Sequence, residues 1–336
     1  MLKRAQRLDA EGKSEDARLL LRRAAEAGDT RAMTALAQRL VGNAPFDIAE
    51  GLRLARAAAC EGDAEAFHLL AVLAAEGLGV TQDWDAALDA LAHAAGLGHG
   101  LAQGELALLA GNQAAGATRT HDWRDVRANI DLSRWLRPSA PQWKSTAPRI
   151  AIVEKFLDEA ACDWLIARAR PELRRATTYN PNPGAASHAH KRTNSGFGLE
   201  TSRMDVITAL MRARIAALTG LDVAGFEDAS VLHYAVGEQY TAHFDFFVLV
   251  PAFAQEIALG GQRVLTFLIY LNDDFEGGET EFPALGWRHR GAKGDALFFW
   301  NVDAGGLPDR RTLHAGLAPV RGEKWLYSQW VRRRTG

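Results

Sequence analysis

This 336-residue sequence lacks cysteine pairs, long apolar runs and an excess of one charge. It has two cysteines, Cys60 and Cys162, and no CxxC pair, which argues against a disulfide framework. No run of about 18 apolar residues is present, so we expect no transmembrane helix. The N-terminal stretch also lacks an apolar core of signal-peptide length. The expected location is therefore the reducing cytoplasm.

The charge balance gives no reason to expect binding to polyanions. Lys and Arg total 39, Asp and Glu total 41, and the net charge is −2, so no bulk attraction to nucleic acid or anionic membrane follows. No aromatic and basic platform of the kind that binds single strands stands out. We expect neither nucleic acid nor membrane as a partner.

Residues 1–115 are rich in Ala and Leu and repeat with a period of 34 to 36 residues. The repeated frame is marked by Gly28, Gly62 and Gly98, in RAAEAGDTRA, AAACEGDAEA and HAAGLGHGLA. This period predicts about three helix-turn-helix units stacked as an α-solenoid. The stretch LLAVLAAEGLGVTQDWDAALDALAHAAGLG resembles a Sel1-like repeat, a relative of the tetratricopeptide repeat. Two roles stay open, a structural cap or a concave surface that recruits a partner.

The sequence changes character after residue 115. Residues 116–148 lose the period and contain three prolines, which predicts a connector, and residues 149–336 form the second domain. There a strand at Ile150–Val153 leads into a helix opened near Asp158. From Phe226 onward, short β-rich runs separated by turns predict a sandwich or small barrel. The fold class is thus multidomain α + β.

Within the β-rich half, His243 and Asp245 occur in YTAHFDFF. Residues i and i+2 on a strand face the same way, so both side chains could bind one metal. The alternative is a buried histidine beside a capping acid. A mononuclear Fe(II) oxygenase needs two histidines and one carboxylate on one face of the metal, so a third ligand from a distant strand would decide between them.

Two histidines further along are candidates for that third ligand. His289 lies in a polar, turn-like stretch, whereas His314 lies 69 residues after Asp245, which leaves room for intervening strands. Lys324 follows ten positions after His314. A lysine on the next strand could bind the far carboxylate of 2-oxoglutarate as a buried point charge. We therefore expect His243, Asp245, His314 and Lys324 to act together.

Three long stretches carry a family resemblance. They are VLHYAVGEQYTAHFDFF, RVLTFLIYLNDDFEGGETEFPALG and GAKGDALFFWNVDAGGLPDRRTLHAGLAPVRGEKWLYSQWVR. The region resembles the prolyl 4-hydroxylase family of 2-oxoglutarate and Fe(II)-dependent dioxygenases. The resemblance implies a double-stranded β-helix, or jelly roll, with supporting helices, which uses Fe(II), 2-oxoglutarate and O2, with ascorbate as reductant.

The resemblance also implies roles for individual residues. His243, Asp245 and His314 match the iron ligands and catalytic centre, and Lys324 matches the residue that binds 2-oxoglutarate. The positions that match the cosubstrate pocket are Tyr234, Thr266 and Trp330, and Tyr240 matches an aromatic residue near the peptide substrate. His233 stands where many members have arginine, so the role of that position here is open.

The expected activity is hydroxylation of an unactivated C–H bond with release of succinate and CO2, and the expected target is a prolyl residue of a peptide or protein. The helical repeats could recruit that substrate. The alternative is a non-catalytic scaffold, or a protein that binds metal or 2-oxoglutarate as a sensor. Nucleic-acid oxidation is a third option, which the mild acidity of the chain disfavours.

Overall fold

The computed structural model describes residues 1–42, 46–111, 122–176 and 191–333. Contacts between residues divide the chain into two compact units. The first contains residues 1–136 together with 200–213, and the second contains 137–199 together with 214–336. The functional domain boundaries at residues 115 and 148 stay a prediction.

The first unit is helical, as the repeat period predicts. Its helices are α1 Leu2–Ala10, α2 Ser14–Glu26, α3 Thr30–Gly42, α4 Ile48–Cys60, α5 Ala64–Glu76, α6 Trp84–Gly96, α7 Gly100–Ala110, α8 Trp123–Ala128 and α9 Ser133–Leu136. Small residues dominate the buried faces; Ala17, Ala55 and Ala71 are fully buried. The helical architecture is confirmed, whereas the Sel1-like assignment stays a prediction.

The repeated frame has a local structural cause. Gly28, Gly62 and Gly98 follow α2, α4 and α6 with φ of 87°, 82° and 89°, a left-handed conformation that favours glycine and ends a helix. The next residue in each frame caps the following helix: the backbone N–H groups of Ala32, Ala66 and Ala102 donate to the side chains of Asp29, Asp63 and His99. Each frame therefore stops one helix and starts the next.

Residues 200–213 pack with the helical unit although they lie in the second half of the sequence. They include the start of α11, Val206–Thr219. The buried carboxylate of Glu105 accepts a hydrogen bond from the Val206 backbone N–H at 2.7 Å and lies 2.6 Å from His68 Nε2. Arg212 pairs with Glu76 at 3.2 Å, again with little exposure of either side chain. These buried polar contacts attach the segment to the repeats.

The second unit is built on antiparallel strands, with α10 Glu159–Ala169 and α12 Pro251–Gly260. The strands are β1 Gln142–Thr146, β2 Arg149–Val153, β3 Arg174–Arg175, β4 Ser195–Leu199, β5 Ala229–Tyr234, β6 Tyr240–His243, β7 Gln262–Tyr270, β8 Glu276–Gly277, β9 Thr280–Phe282, β10 Trp287–His289, β11 Ala296–Trp300, β12 His314–Gly316, β13 Pro319–Arg321 and β14 Lys324–Arg333. The strand predicted at Ile150–Val153 is β2, and Asp158 caps α10 as predicted.

Twelve strands form an eight-stranded sheet in the order β1-β2-β11-β7-β14-β5-β4-β3 and a four-stranded sheet in the order β10-β9-β12-β6, and β13 pairs with β8. One apolar core joins the two sheets: Phe282 of β9 packs edge-on against Phe299 of β11 at 5.1 Å between ring centroids. Two sheets with a shared core are the expected jelly roll. The site residues lie on the facing sides of these sheets.

The stretch predicted as a connector contains regular structure in its described part. Residues 122–148 include α8, α9 and β1, which pairs with β2 at the end of the large sheet. Trp135 is buried, whereas Trp143 of β1 is half exposed. None of the helices among the described residues is long and apolar enough to cross a lipid bilayer.

Candidate active site

Strand pairing brings together the two halves of the HxD…H pattern. His243 ends β6, Asp245 lies two residues further along, and His314 begins β12 directly opposite His243 in the antiparallel register. The Nε2 atom of His243 lies 3.6 Å from Asp245 Oδ1, and that of His314 lies 3.4 Å from Asp245 Oδ2. The three ligand atoms all lie within 4.8 Å of one another, the arrangement that one metal ion requires.

Hydrogen bonds orient both imidazoles in the same way. His243 Nδ1 lies 2.8 Å from the Thr241 carbonyl, and His314 Nδ1 lies 3.0 Å from the Thr312 carbonyl. A carbonyl can only accept, so each Nδ1 carries the proton and each Nε2 presents a lone pair to the carboxylate. Two such nitrogens and one carboxylate match the ligand set of non-haem Fe(II) oxygenases. The residues present therefore fit the metal.

The protonation states favour a metal as well. Burial and the neighbouring His243 lower the pKa of His314 to about 4, so its imidazole is neutral at physiological pH. Burial alone would raise the pKa of Asp245, but the nearby His314 and His243, with a hydrogen bond from Thr266, hold that pKa well below its usual range. The site thus offers a carboxylate and neutral imidazole, the forms that ligate metal.

A chain of side-chain hydrogen bonds fixes the carboxylate. Thr266 Oγ1 donates to Asp245 Oδ2 at 2.7 Å, and the amide nitrogen of Asn301 donates to Thr266 Oγ1 at 2.9 Å. Thr266 and Asn301 are buried. Thr266 lines the cavity described below, and its predicted contact with the cosubstrate stays a prediction. Its hydrogen bond to Asp245 is a positioning contact that the sequence did not indicate.

Lys324 is a fully buried cation in the same region. Its ammonium donates to the Gly278 carbonyl at 2.6 Å, and it lies 5.2 Å and 5.6 Å from the ring centres of Tyr234 and Tyr270. Among the described residues it forms no ion pair. Burial lowers its pKa to about 7, as expected for an ammonium without a buried counter-charge. An anionic ligand would supply that charge.

One cavity contains all of the sequence-predicted site residues. Its lining includes His243, Asp245, His314, Lys324, Tyr234, Thr266, Trp330 and Tyr240. Further lining residues are Arg192, Leu232, Leu268, Thr280, Gly316, Leu326 and Ser328. The metal-ligand candidates and the buried lysine therefore open into the same space, as a chelating ligand with a distal carboxylate requires.

Tyr234 and Tyr240 contribute differently to this cavity. Tyr234 lies opposite Lys324 in the β5–β14 register, and burial raises the pKa of its hydroxyl to about 12. It stays protonated and can donate a hydrogen bond. Tyr240 stacks on the imidazole of His243 at 3.5 Å between ring centroids. The guanidinium of Arg192 lies 4.7 Å from the ring centre of Tyr240. Tyr240 is therefore a wall of the cavity beside the metal-ligand candidate.

Trp330 is held by a cluster of charged residues. It lies opposite Thr266 in the β7–β14 register, and the guanidinium of Arg263 lies 3.8 Å from its ring centre. Arg263 in turn forms a two-point ion pair with Glu227. The indole therefore has a fixed orientation at one side of the cavity.

Two histidines considered from the sequence lie outside the cavity. His233 is opposite Trp325 in the β5–β14 register, and its Nε2 lies 2.8 Å from Glu323. His289 stacks on Trp287, and burial lowers its pKa. Neither belongs to the metal-ligand group, which is the one such group of three or more residues in the described part of the chain.

Three groups that contact site residues were not predicted from the sequence. They are the Gly278 carbonyl, the Asn301 amide and the Arg192 guanidinium. A main-chain carbonyl has no sequence signal of its own. Asn301 is a polar residue at the end of the apolar run ALFFW, and that position could have marked it as a buried hydrogen-bonding group.

Comparison with known proteins agrees with this geometry. The profile of the 2OG-Fe(II) oxygenase superfamily matches residues 229–332. Prolyl 4-hydroxylase 1 of Arabidopsis thaliana is 33% identical over 235 residues, which cover 63% of this chain and 82% of that protein. The chain belongs to the prolyl 4-hydroxylase family. It is therefore a 2-oxoglutarate-dependent dioxygenase, and the family resemblance inferred from the sequence is confirmed.

Two further proteins are similar to this chain. Probable prolyl 4-hydroxylase 3 of Arabidopsis thaliana is 34% identical over 227 residues, covering 61% of this chain and 77% of the relative. The crystal structure of the viral collagen prolyl hydroxylase from Paramecium Bursaria Chlorella virus-1 in its 2-oxoglutarate complex is 27% identical, with a TM-score of 0.42; the match covers 54% of this chain and 94% of that one. Enzymes of this superfamily use Fe(II), 2-oxoglutarate and O2.

Proposed function

We propose that this protein hydroxylates prolyl residues of a peptide or protein substrate. The observation that carries the proposal is the single cavity that joins the His243, Asp245 and His314 group to the buried Lys324. The prolyl 4-hydroxylase relatives support the choice of substrate. Succinate and CO2 are the expected co-products.

The chain would hold its cofactors with the residues described above. His243, Asp245 and His314 would bind Fe(II), and Lys324 would bind the far carboxylate of 2-oxoglutarate. When bound, Fe(II), 2-oxoglutarate and O2 together supply the oxidation that converts an unactivated C–H bond into an alcohol, with ascorbate keeping the metal reduced.

The surrounding residues would position the reactants and exclude water. Tyr234 would donate a hydrogen bond to 2-oxoglutarate, since its hydroxyl stays protonated. Thr266 holds the Asp245 carboxylate, so the metal-binding oxygen cannot rotate away. Trp330 closes one side of the pocket, and Tyr240 would contact the peptide next to the metal. Exclusion of water from this cavity would strengthen the electrostatic contacts within it.

The helical repeats are proposed to recruit the substrate protein. A groove on the helical unit, lined by Arg31, Gln38 and Glu65 among other residues, encloses about 1270 Å³. Arg31 is exposed on that surface and forms no ion pair among the described residues. A polar groove of this size fits an extended segment of a partner protein.

The test is a turnover assay with three proteins. Succinate is measured from 2-oxoglutarate with Fe(II), ascorbate and O2 in the presence of proline-rich peptides, and hydroxyproline is detected by mass spectrometry. We expect product with the wild type, none with His243→Ala, and product with the control His233→Ala, because His233 lies outside the cavity on the neighbouring strand position.

Two outcomes would contradict the proposal. Hydroxylation of a residue other than proline in host lysate would retain the enzyme class and replace the substrate. Binding of metal and 2-oxoglutarate without any oxygenated product would favour the sensor alternative.

A further inference from the structure

A second cleft opens beside the catalytic cavity in the sheet-containing unit. It encloses about 300 Å³ and is lined by β3, β4, β5 and β14. Four of its residues also line the catalytic cavity: Arg192, Leu232, Ser328 and Trp330. The two spaces are therefore adjacent.

The cleft is rich in arginine. Arg174, Arg175 and Arg192 line it, against one acidic residue, Asp228. Arg175 pairs with Glu238 at 3.0 Å, whereas exposed Arg174 has no carboxylate partner among the described residues. Residues 173–176 and 191–199 contain four Lys or Arg, and Glu172 and Glu200 border these two stretches. The cleft lining therefore carries more positive than negative charge, although the whole chain is slightly acidic.

The arginines reach the reacting centre through stacked rings. The Arg192 guanidinium lies 4.7 Å from the ring centre of Tyr240, and Tyr240 stacks on His243 at 3.5 Å. Arg192 is thus one aromatic ring away from a metal-ligand candidate. A carboxylate of a bound peptide held by Arg192 would therefore be close in sequence to the peptide residue that reacts.

We propose that this cleft selects peptides that carry Asp or Glu within a few residues of the target proline. The inference rests on the proposed prolyl hydroxylation and specifies its substrate class. Guanidinium groups bind carboxylates through paired, charge-assisted hydrogen bonds, and a positive cleft raises the encounter rate with acidic peptides. A peptide C-terminal carboxylate has the same chemistry, so the experiment separates the two sources.

The experiment compares peptides that differ only beside the proline. One residue near the target is Glu, Gln or Lys, and each peptide is made with a free and with an amidated C-terminus. Binding is followed by fluorescence anisotropy, and hydroxylation by mass spectrometry. For the wild type we expect the Glu peptide to exceed the Gln peptide in kcat/KM by on the order of fivefold, the range of one partly exposed charge pair, and the gain to shrink with added salt.

Variants then assign the preference to the cleft. Arg174→Glu should reverse the order in favour of the Lys peptide, and Arg174→Lys should keep the preference for Glu. Lys144→Glu is the control, because it makes the same change in charge at an exposed residue of β1 that lines neither space. Circular dichroism checks that each variant is folded. The comparison of the Glu and Gln peptides with the wild type does not depend on the variants.

The results separate the two proposals. Hydroxylation of the Glu and Gln peptides with equal kcat/KM would overturn the cleft inference and leave prolyl hydroxylation intact. A preference that follows the free C-terminus, independent of the side chain, would overturn the choice of Asp or Glu. Glu-dependent binding without hydroxylated proline would instead refute the proposed reaction, and with it the target residue named here.

Discussion

Replacing Lys324 with methionine tests the central feature of the cavity, a buried cation without a buried counter-charge. Methionine has a similar length and no charge. The pKa of Lys324 falls from 10.5 to about 7 on burial, a difference of about 3.5 units. At about 1.4 kcal/mol per unit, the charged form costs the ligand-free protein on the order of 5 kcal/mol near pH 6. Lys324→Met should therefore raise the free energy of unfolding.

The pH dependence follows from the sign of the shift. The pKa is lower in the folded state than in the unfolded state, so the unfolded chain binds more protons between about pH 7 and pH 10.5. The free energy of unfolding of the wild type then rises with pH across this window. Lys324→Met lacks this contribution, so its advantage should shrink as the pH rises and be small near pH 10.

The assay is urea unfolding at several pH values, followed by tryptophan fluorescence, because Trp325 and Trp330 lie on the same strand as Lys324. The control is Lys144→Met, an exposed lysine on β1. Added 2-oxoglutarate at 100 times its wild-type Kd, with Mn(II) present throughout, should stabilise the wild type by about 2.7 kcal/mol. The same concentration should stabilise Lys324→Met by less, because this variant keeps the metal-ligand group but lacks the cation. Equal pH slopes for wild type and variant, or equal stabilisation of both by 2-oxoglutarate, would refute this account of Lys324.

Three other changes test separate contacts. Thr266→Val removes the hydroxyl that donates to Asp245, and we expect Mn(II) affinity, measured by calorimetry, to fall by about 10- to 100-fold; unchanged affinity would mean that the carboxylate is fixed by other groups. Gly278→Ala places a Cβ 3.0 Å from the Phe275 ring at a residue with φ of 67°, so the carbonyl that accepts from Lys324 should be displaced. We expect the KM for 2-oxoglutarate to rise several-fold without a matching loss of Mn(II) binding. Glu105→Ala leaves buried His68 and the Val206 N–H without their acceptor, so thermal unfolding of the helical unit should show a loss of about 3 to 5 kcal/mol.

The sequence predicted the parts of the site that depend on short patterns. His243 and Asp245 are two residues apart, and the alternation of a strand already places them on one face. His314 and Lys324 could be added because each lies in a β-rich run with recognisable flanking residues. These predictions depend on strand periodicity and a family pattern. Neither the periodicity nor the pattern requires knowledge of the three-dimensional structure.

The contacts that hold those residues depend on pairings that no short pattern specifies. Asn301 reaches Thr266 across 35 residues of sequence, and Lys324 reaches the Gly278 carbonyl across 46. Val206 meets Glu105 across 101 residues. The attachment of residues 200–213 to the helical unit had no signal for the same reason, since the amphipathic helix there has the same apolar pattern whichever surface it packs on.

The geometry of the pocket depends on the register of one strand. Along β14, Lys324, Leu326, Ser328 and Trp330 line the cavity at every second position, while the residues between them do not. A slip of one residue would turn all four away and put Trp325 in place of the cation. The pairing of β14 with β5 and β7 is continuous from residue 324 to residue 331, and the register shifts only between Val331 and Arg332. The irregularity therefore comes after the last functional position, and the regular ladder that precedes it sets where the lysine lies relative to the metal ligands.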